Sequence, residues 1–157
     1  MATEPTNHFK PLAAVLGWII PGLGHYVIGE RARGVLVLAG VAFLWICGLL
    51  IGGIDTVDRK DDRLWFIAQA GSGPIAFAID GMNNALLKSG TMGELVDAPN
   101  PRRDTSTRKQ VSTLKSVAHM NEYGTLFTAF AGLMNIVALL DAGSRPRRTQ
   151  RTRVEDE

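Results

Sequence analysis

Residues Gly34 to Ile54 read GVLVLAGVAFLWICGLLIGGI, twenty-one residues without a single Asp, Glu, Lys or Arg. At a rise of about 1.5 Å per residue, a helix of that length just crosses a hydrocarbon core of about 30 Å. The stretch therefore predicts a transmembrane helix. The overall hydrophobic fraction of 46% hides it, because the charges of this 157-residue chain gather elsewhere: in 55–63, 88–122 and 145–157.

Three further apolar segments flank it. Pro11–Gly29 also lacks charged residues, Leu64–Leu87 is interrupted by Gly71-Ser72-Gly73-Pro74, and Tyr123–Ala142 (YGTLFTAFAGLMNIVALLDA) is again long enough to span. The expected architecture is all-α, an integral membrane helical bundle of three to four hydrophobic segments, the first and third broken by Gly and Pro. Its expected divisions are a polar leader over 1–10, a glycine-broken transmembrane hairpin over 11–54 and a charged loop over 55–63. A kinked or re-entrant segment follows over 64–87, then an extramembrane basic loop over 88–121, with a short helix near Lys109–Met120. A last transmembrane helix over 122–142 leads into an Arg-rich disordered tail over 143–157. The leader MATEPTNHFK carries one Lys against one Glu and no A-x-A-like site follows the apolar run, so no cleaved signal peptide is expected.

The first break explains itself chemically. Pro21 has no amide hydrogen, and its ring crowds the carbonyl four residues back, that of Gly17. The helix begun near Pro11 should stop or kink at about Ile20, with Gly22, Gly24 and Gly29 easing the chain through a re-aimed path. A brief interfacial stretch would carry His25, Tyr26 and the charged run Glu30-Arg31-Ala32-Arg33 before the second helix. Tyrosine suits that depth, with an apolar ring and a wet hydroxyl.

The run Gly22-Leu23-Gly24-His25-Tyr26-Val27-Ile28-Gly29, followed by a short basic turn and a leucine-rich helix, resembles the hairpin signature of the transmembrane-two domain family. That family joins two membrane helices by a Gly-x-x-Gly-x-His-x-Phe-Tyr-x-Gly type motif. Here His25 and Tyr26 are adjacent, and the Asp-Arg-Phe type triplet of some animal members is absent. The whole chain, with its ending Glu122–Ala142, is similar to small multi-pass membrane proteins of planctomycete-type bacteria in a domain-of-unknown-function family. Neither resemblance implies a chemistry.

Several residues invite a role. His25 could be a proton-handling or ligand-binding group at the membrane surface, although a His beside a glycine turn more often bonds a freed backbone carbonyl. Gly48-x-x-x-Gly52 and Thr128-x-x-x-Gly132 let helices approach closely, which serves either dimerisation or packing within one bundle. Asn135, in the middle of the last segment, should face another helix, with Gln69 or Ser72 as a polar partner. Asp80 and Asp141 each close an apolar run, in the echoing stretches Pro74–Asp80 and Asn135–Asp141, and read as interfacial helix ends. Arg145, Arg147, Arg148, Arg151 and Arg153 form a basic membrane-surface patch that favours a cytoplasmic tail.

Cys47 is the only cysteine, no two histidines share a metal-ligand spacing, and no phosphate loop or cofactor fingerprint occurs. No metal, cofactor or catalytic residue is expected, and no nucleic acid, since the net charge is only +2. The expected function is a noncatalytic interaction or scaffold subunit, multi-pass in the cell membrane (inner membrane). Its expected partners are the lipid bilayer and a membrane protein or a second copy. The alternative is a small transporter or channel-like component with a site between the broken helices.

Overall fold

The computed structural model describes residues 9–97, 110–114 and 119–145. Two helices dominate it: α3 (Arg31–Gly52) and α6 (His119–Ser144), both long and apolar enough to cross a membrane. The other two apolar segments are not single helices. The first is a pair, α1 (Pro11–Ile19) and α2 (Leu23–Val27); the third is another pair, α4 (Arg63–Ala70) and α5 (Pro74–Met82), the latter running into a π-helical turn at Asn83–Lys88. A single 3-10 turn, Ile54–Thr56, follows α3. Between the π turn and α6 lies a small antiparallel ribbon of β1 (Leu95–Asp97) and β2 (Gln110–Ser112). Of the short helix expected near Lys109–Met120, Gln110–Ser112 form β2 instead, residues 119–120 belong to α6, and 109 and 115–118 lie outside the described residues.

Helices α3 and α6 are antiparallel and define two ends. Lys10, at the start of α1, donates its backbone amide to Gly143 O at the C-terminal end of α6 (2.7 Å). Seven residues on, Gly17 lies against Leu139 and Asn135, near the middle of α6. The chain then turns back, so that Gly24 packs on Ala13 and Ala142, beside its starting level. The first pair is thus a hairpin that reaches half-way along the bundle and returns to its own end. The second does the same from the opposite end: Gly71 meets Asn135, while Asp80 and Asn83 have come back to Arg59 and Val57. Half-depth hairpin then long helix is the order in both halves of the chain, entered from opposite ends. The echo of Pro74–Asp80 in Asn135–Asp141 does not follow this repetition, because α5 belongs to a hairpin and α6 is a long helix.

Close approach, rather than bulk, joins α3 to α6. Gly34, Val41 and Gly48 are buried seven residues apart on α3, as are Trp45 and Gly52. On α6 the buried sets are Thr128, Asn135, Ala142 and Thr125, Gly132. A seven-residue period is the signature of left-handed helix packing at small angles. A Cβ on Gly48 would come within 2.6 Å of Thr128 Cγ2, and one on Gly124 within 2.7 Å of Gly48 O. The small-residue pattern Gly48–Gly52 is used inside the chain, between its own two long helices. A modest apolar core of Val41, Trp45, Val57, Phe66, Ala76 and Ala131 fills the angle between α3 and the second hairpin, with Phe66 and Phe77 edge to face at 5.3 Å.

A methyl group added at Gly132 would lie 1.9 Å from the backbone oxygen of Ala68, whereas at Gly40 it would meet nothing within 4 Å. Gly132→Ala should destabilise the protein by about 1–3 kcal/mol through overpacking. Gly40→Ala should leave it unchanged or gain about 0.5–1 kcal/mol of helix propensity. Thermal unfolding of the two variants side by side in one detergent checks the contrast.

Candidate functional site

The two breaks meet. Ile20 is extended (φ −131°, ψ 116°) and Gly22 takes a left-handed conformation (φ 83°), so α1 stops at the proline and α2 leaves in the reverse direction. At the other tip Gly73 (φ 85°) lies so near Trp18 that a Cβ there would fall 1.9 Å from Trp18 O. The indole Nε1 of Trp18 donates to Ala70 O (3.0 Å), across the tips. Backbone touches backbone at this junction.

Asn135 ties the junction together. Its Nδ2 donates to Gly17 O at 3.1 Å and to Gly71 O at 2.9 Å, and the side chain is fully buried. Gly17 O is the carbonyl whose helical partner would have been the missing amide of Pro21. Gly71 O is the carbonyl of the residue that caps α4. One primary amide thus satisfies a carbonyl from each broken segment. The expected partners Gln69 and Ser72 are close along the chain but are not what Asn135 bonds. Gln69 Nε2 instead donates to Thr56 O and Thr128 Oγ1, both at 2.8 Å.

At the end holding His25, a charged network forms from residues far apart in sequence. His25, only 1% exposed, places Nε2 3.0 Å from Asp141 Oδ2; a carboxylate only accepts, so this nitrogen carries the hydrogen. Arg145 Nε donates to both oxygens of Asp141 at 2.8 Å, Arg33 pairs with Glu30 at 3.0 Å, and Arg145 reaches Glu30 at 3.4 Å. His25 therefore bonds a carboxylate rather than a carbonyl freed by the break. Tyr26 is half exposed, with the Arg31 guanidinium 5.4 Å from its ring centre. Of the expected hairpin glycines, Gly22 and Gly29 use positive φ, while Gly24 is present for closeness: a Cβ would meet Ala13 O at 2.3 Å. Arg145 is the one tail arginine among the described residues; Arg147, Arg148, Arg151 and Arg153 lie outside them.

At the opposite end the charged loop after α3 is folded inward. Asp55, Thr56, Val57 and Asp58 are buried, although the composition of 55–63 reads as an exposed connection. Asp58 Oδ1 accepts from the amides of Lys60 (2.8 Å) and Asp61 (3.0 Å), and its other oxygen meets the Lys88 ammonium. Asp80 accepts from the Arg59 amide at 2.8 Å, Asn83 Nδ2 donates to Val57 O at 3.1 Å, and Asn121 bonds Asp55 at 2.9 Å. Asp141 is thus a carboxylate near a helix end, whereas Asp80 lies inside a helical run that continues through the π turn to Lys88; the two are engaged at opposite ends of the bundle. The sequence signal for this inward loop is faint: a lone Val57 among charges, and Asn121, Thr128 and Asn135 at seven-residue spacing on the facing helix.

Among known proteins, the chain matches the family of unknown function DUF6677 over residues 12–155. It belongs to that family. No curated protein and no solved structure matches it. The expectation of a domain-of-unknown-function family is met, and the comparison adds nothing to the resemblance to the transmembrane-two hairpin or to a planctomycete origin. The DUF6677 match takes in both hairpins, both long helices and Asn135.

Replacing Asn135 by Leu strands two buried carbonyls, each at about 1–3 kcal/mol. The variant should lose thermal stability severely, more than Thr128→Val, which loses one acceptor of a shared hydroxyl; unfolding midpoints of both in micelles check this. Lys88 gives a pH dependence. Burial presses its ammonium toward deprotonation, but hydrogen bonds and attraction from Asp58 and Asp61 outweigh that and hold it above its usual 10.5. Its stabilising contribution is then complete below the unfolded-state value and is lost as pH climbs through the higher folded-state value. Stability should fall on the alkaline side above 10.5, and Lys88→Met should be less stable at neutral pH and lack that alkaline decline, as denaturation followed against pH will show.

Proposed function

We propose that this chain is a noncatalytic integral protein of the cell membrane, crossing it with α3 and α6 and dipping two half-depth hairpins into it from opposite faces. We further propose that it serves as an interaction or scaffold subunit. The observation that carries the membrane reading is an inverted polarity. Gln69, Thr128 and Asn135 are 0% exposed, whereas Leu36 is 72% exposed, Leu50 81%, Leu64 83% and Ile67 68%. In water such an exterior would be a large apolar patch over most of the molecule. In lipid it is the expected one, with buried amides and hydroxyls bonding between helices. The finer expectation of three to four apolar segments in the bilayer then takes the form of two crossings and two re-entrant hairpins. Irregular backbone at membrane depth is tolerated there because it is covered by protein.

Two observations support the noncatalytic reading. The breaks are pressed together with no room for a methyl group between Gly73 and Trp18, and the buried ionisable side chains His25, Asp80 and Asp58 are spent on internal pairs. The bilayer and a membrane protein or second copy are the proposed partners, offered by the exposed apolar faces. Helices α1 and α6 bring both ends of the described chain to one side, and the tail arginines favour the cytoplasm for that side of the inner membrane. A small transporter or channel-like component is the second reading. It is favoured by the meeting of two broken segments at the middle of the bundle, where several carriers place their site.

Membrane fractions washed with alkaline carbonate should retain the full chain; recovery in the supernatant as a folded monomer would defeat the membrane reading. Cross-linking followed by purification in mild detergent should recover a stoichiometric membrane partner or a homo-oligomer. Monomer alone, together with solute flux in proteoliposomes, would transfer the case to the transporter.

A further inference from the structure

Hydrogen-bond accounting at the junction leaves a remainder. Asn135 spends both amide hydrogens on Gly17 O and Gly71 O, so its Nδ2 must face them and its Oδ1 must face away. Gln69 likewise gives Nε2 to Thr56 O and to Thr128 Oγ1. The Thr128 hydroxyl is itself donated to Gly124 O or Thr125 O, so it can only accept from Gln69, and the amide orientation is fixed. What remains is Asn135 Oδ1, Gln69 Oε1 and the Ser72 hydroxyl, three buried oxygen atoms with no hydrogen-bond partner among the described residues. Gln69 and Asn135 are 0% exposed and Ser72 is 1% exposed.

These three belong to one place. Gln69 is in the last turn of α4, Ser72 follows that turn and donates its backbone amide to Gln69 O (2.9 Å), and Gly71 between them is the residue Asn135 holds. A buried polar atom left without a partner costs about 1–3 kcal/mol, and three around one turn are unusual in a native interior. We propose that this turn is a binding site for water at mid-depth of the bundle, held by Gln69 Oε1, Asn135 Oδ1 and Ser72 Oγ. Two carbonyl-type acceptors and one hydroxyl match the valence of water, which brings two donors and two acceptors and asks for two to four partners. A cation would find the acceptors but no counter-charge. The carboxylates Asp55, Asp58 and Asp80 lie at one end of the bundle and Asp141 at the other, engaged with Asn121, Lys88, Arg59 and His25 respectively. An unpaired charge at that depth is costly, so a neutral ligand is selected.

The route in is one-sided. From the end holding Asp55, buried polar groups run inward without interruption: Asn121 to Thr125, Thr125 to Thr56, and Thr56 and Thr128 to Gln69. From Asn121 to Asn135 that is about 21 Å along α6. Toward the other end α6 presents the Cβ atoms of Leu139 and Ala142 against Gly17 and Gly24. In this proposal water reaches the junction from the Asp55 end, where the polar groups lie. The site does not rest on the scaffold reading and would exist under either function.

The test uses the isotope-labelled full chain in lipid nanodiscs. Water-to-amide cross-relaxation should appear at the Asn135 side-chain amide and at the Ser72 backbone amide, although both residues are buried, and Ser72→Ala should remove or weaken it. Ser72→Ala should also lower the unfolding midpoint, by about 2–4 °C for each lost net hydrogen bond of about 1 kcal/mol. If the hydroxyl has no ligand, the same substitution deletes a stranded polar group, and the midpoint should stay or rise. Absence of water cross-relaxation at both amides, or a midpoint that stays or rises, overturns the proposal. So does a saturable shift of these amide signals on adding sodium, potassium or ammonium chloride, which would make the ligand a cation.

Discussion

The architecture depends on one primary amide placed where two interrupted helices run out of backbone donors. Pro21 deprives Gly17 O of its helical hydrogen bond, and the end of α4 leaves Gly71 O in the same condition. In an apolar medium each would be a liability of a few kcal/mol. Asn135 answers both from the opposite helix. A threonine hydroxyl has one hydrogen and could answer only one; a carboxylate has none to give. The two-donor geometry of an amide is what allows hairpins from opposite ends to stop at the same depth and share a contact.

Everything around that contact is arranged so that backbones come close. On the proposed membrane reading there is no gain from hiding leucine from the solvent, and association rests on van der Waals packing and interhelical hydrogen bonds. The chain accordingly puts Gly48, Gly124 and Gly132 where helices touch and turns its leucines outward. The tips also match electrically. The last carbonyls of α1, with Trp18 O foremost, lie beside Gly73 at the start of α5, setting the negative end of one helix dipole against the positive end of another. Each hairpin is then moored at its own rim by charge: the first through His25, Asp141 and Arg145, the second through Arg59 with Asp80 and Asp58 with Lys88. The family match leaves the role of this arrangement open, and the scaffold reading is a proposal drawn from its geometry.

What could be read in advance was whatever depends on a residue and its near neighbours. Gly34–Ile54 lies almost wholly within one helix because nothing in it is charged; the stop at Ile20 follows from Pro21; the inward aim of Asn135 follows from the cost of exposing an amide to lipid. The direction of the chain after Pro21 could not be read, because a kink and a reversal differ only in a few dihedral angles, and Gly22 permits either. The reversal is fixed by Gly24 fitting against Ala13 and Ala142, a contact across more than a hundred residues. The partners of Asn135 were out of reach for a similar reason: side chains can be ranked by polarity, but a carbonyl freed in another segment carries no letter of its own. The inward fold of the charged loop 55–63 was out of reach too, because the partners of Asp58 include Lys88, a residue of another segment.

The two halves repeat an order, hairpin then long helix, yet only one long helix carries the clamp. In α6 the buried heptad positions include Asn135 and Thr128; on α3 the buried row is Gly34, Val41, Trp45, Gly48 and Gly52, with no amide or hydroxyl. The asymmetry has a physical consequence. Both tips bond to α6, so α6 sets the depth of each hairpin, while α3 supplies close contact and a wall of apolar surface. A symmetric pair of clamps would hold each hairpin to a different helix and let the halves slide. One clamp serving both tips makes the position of either hairpin conditional on the other, which is the mechanical property the proposed scaffold role calls for.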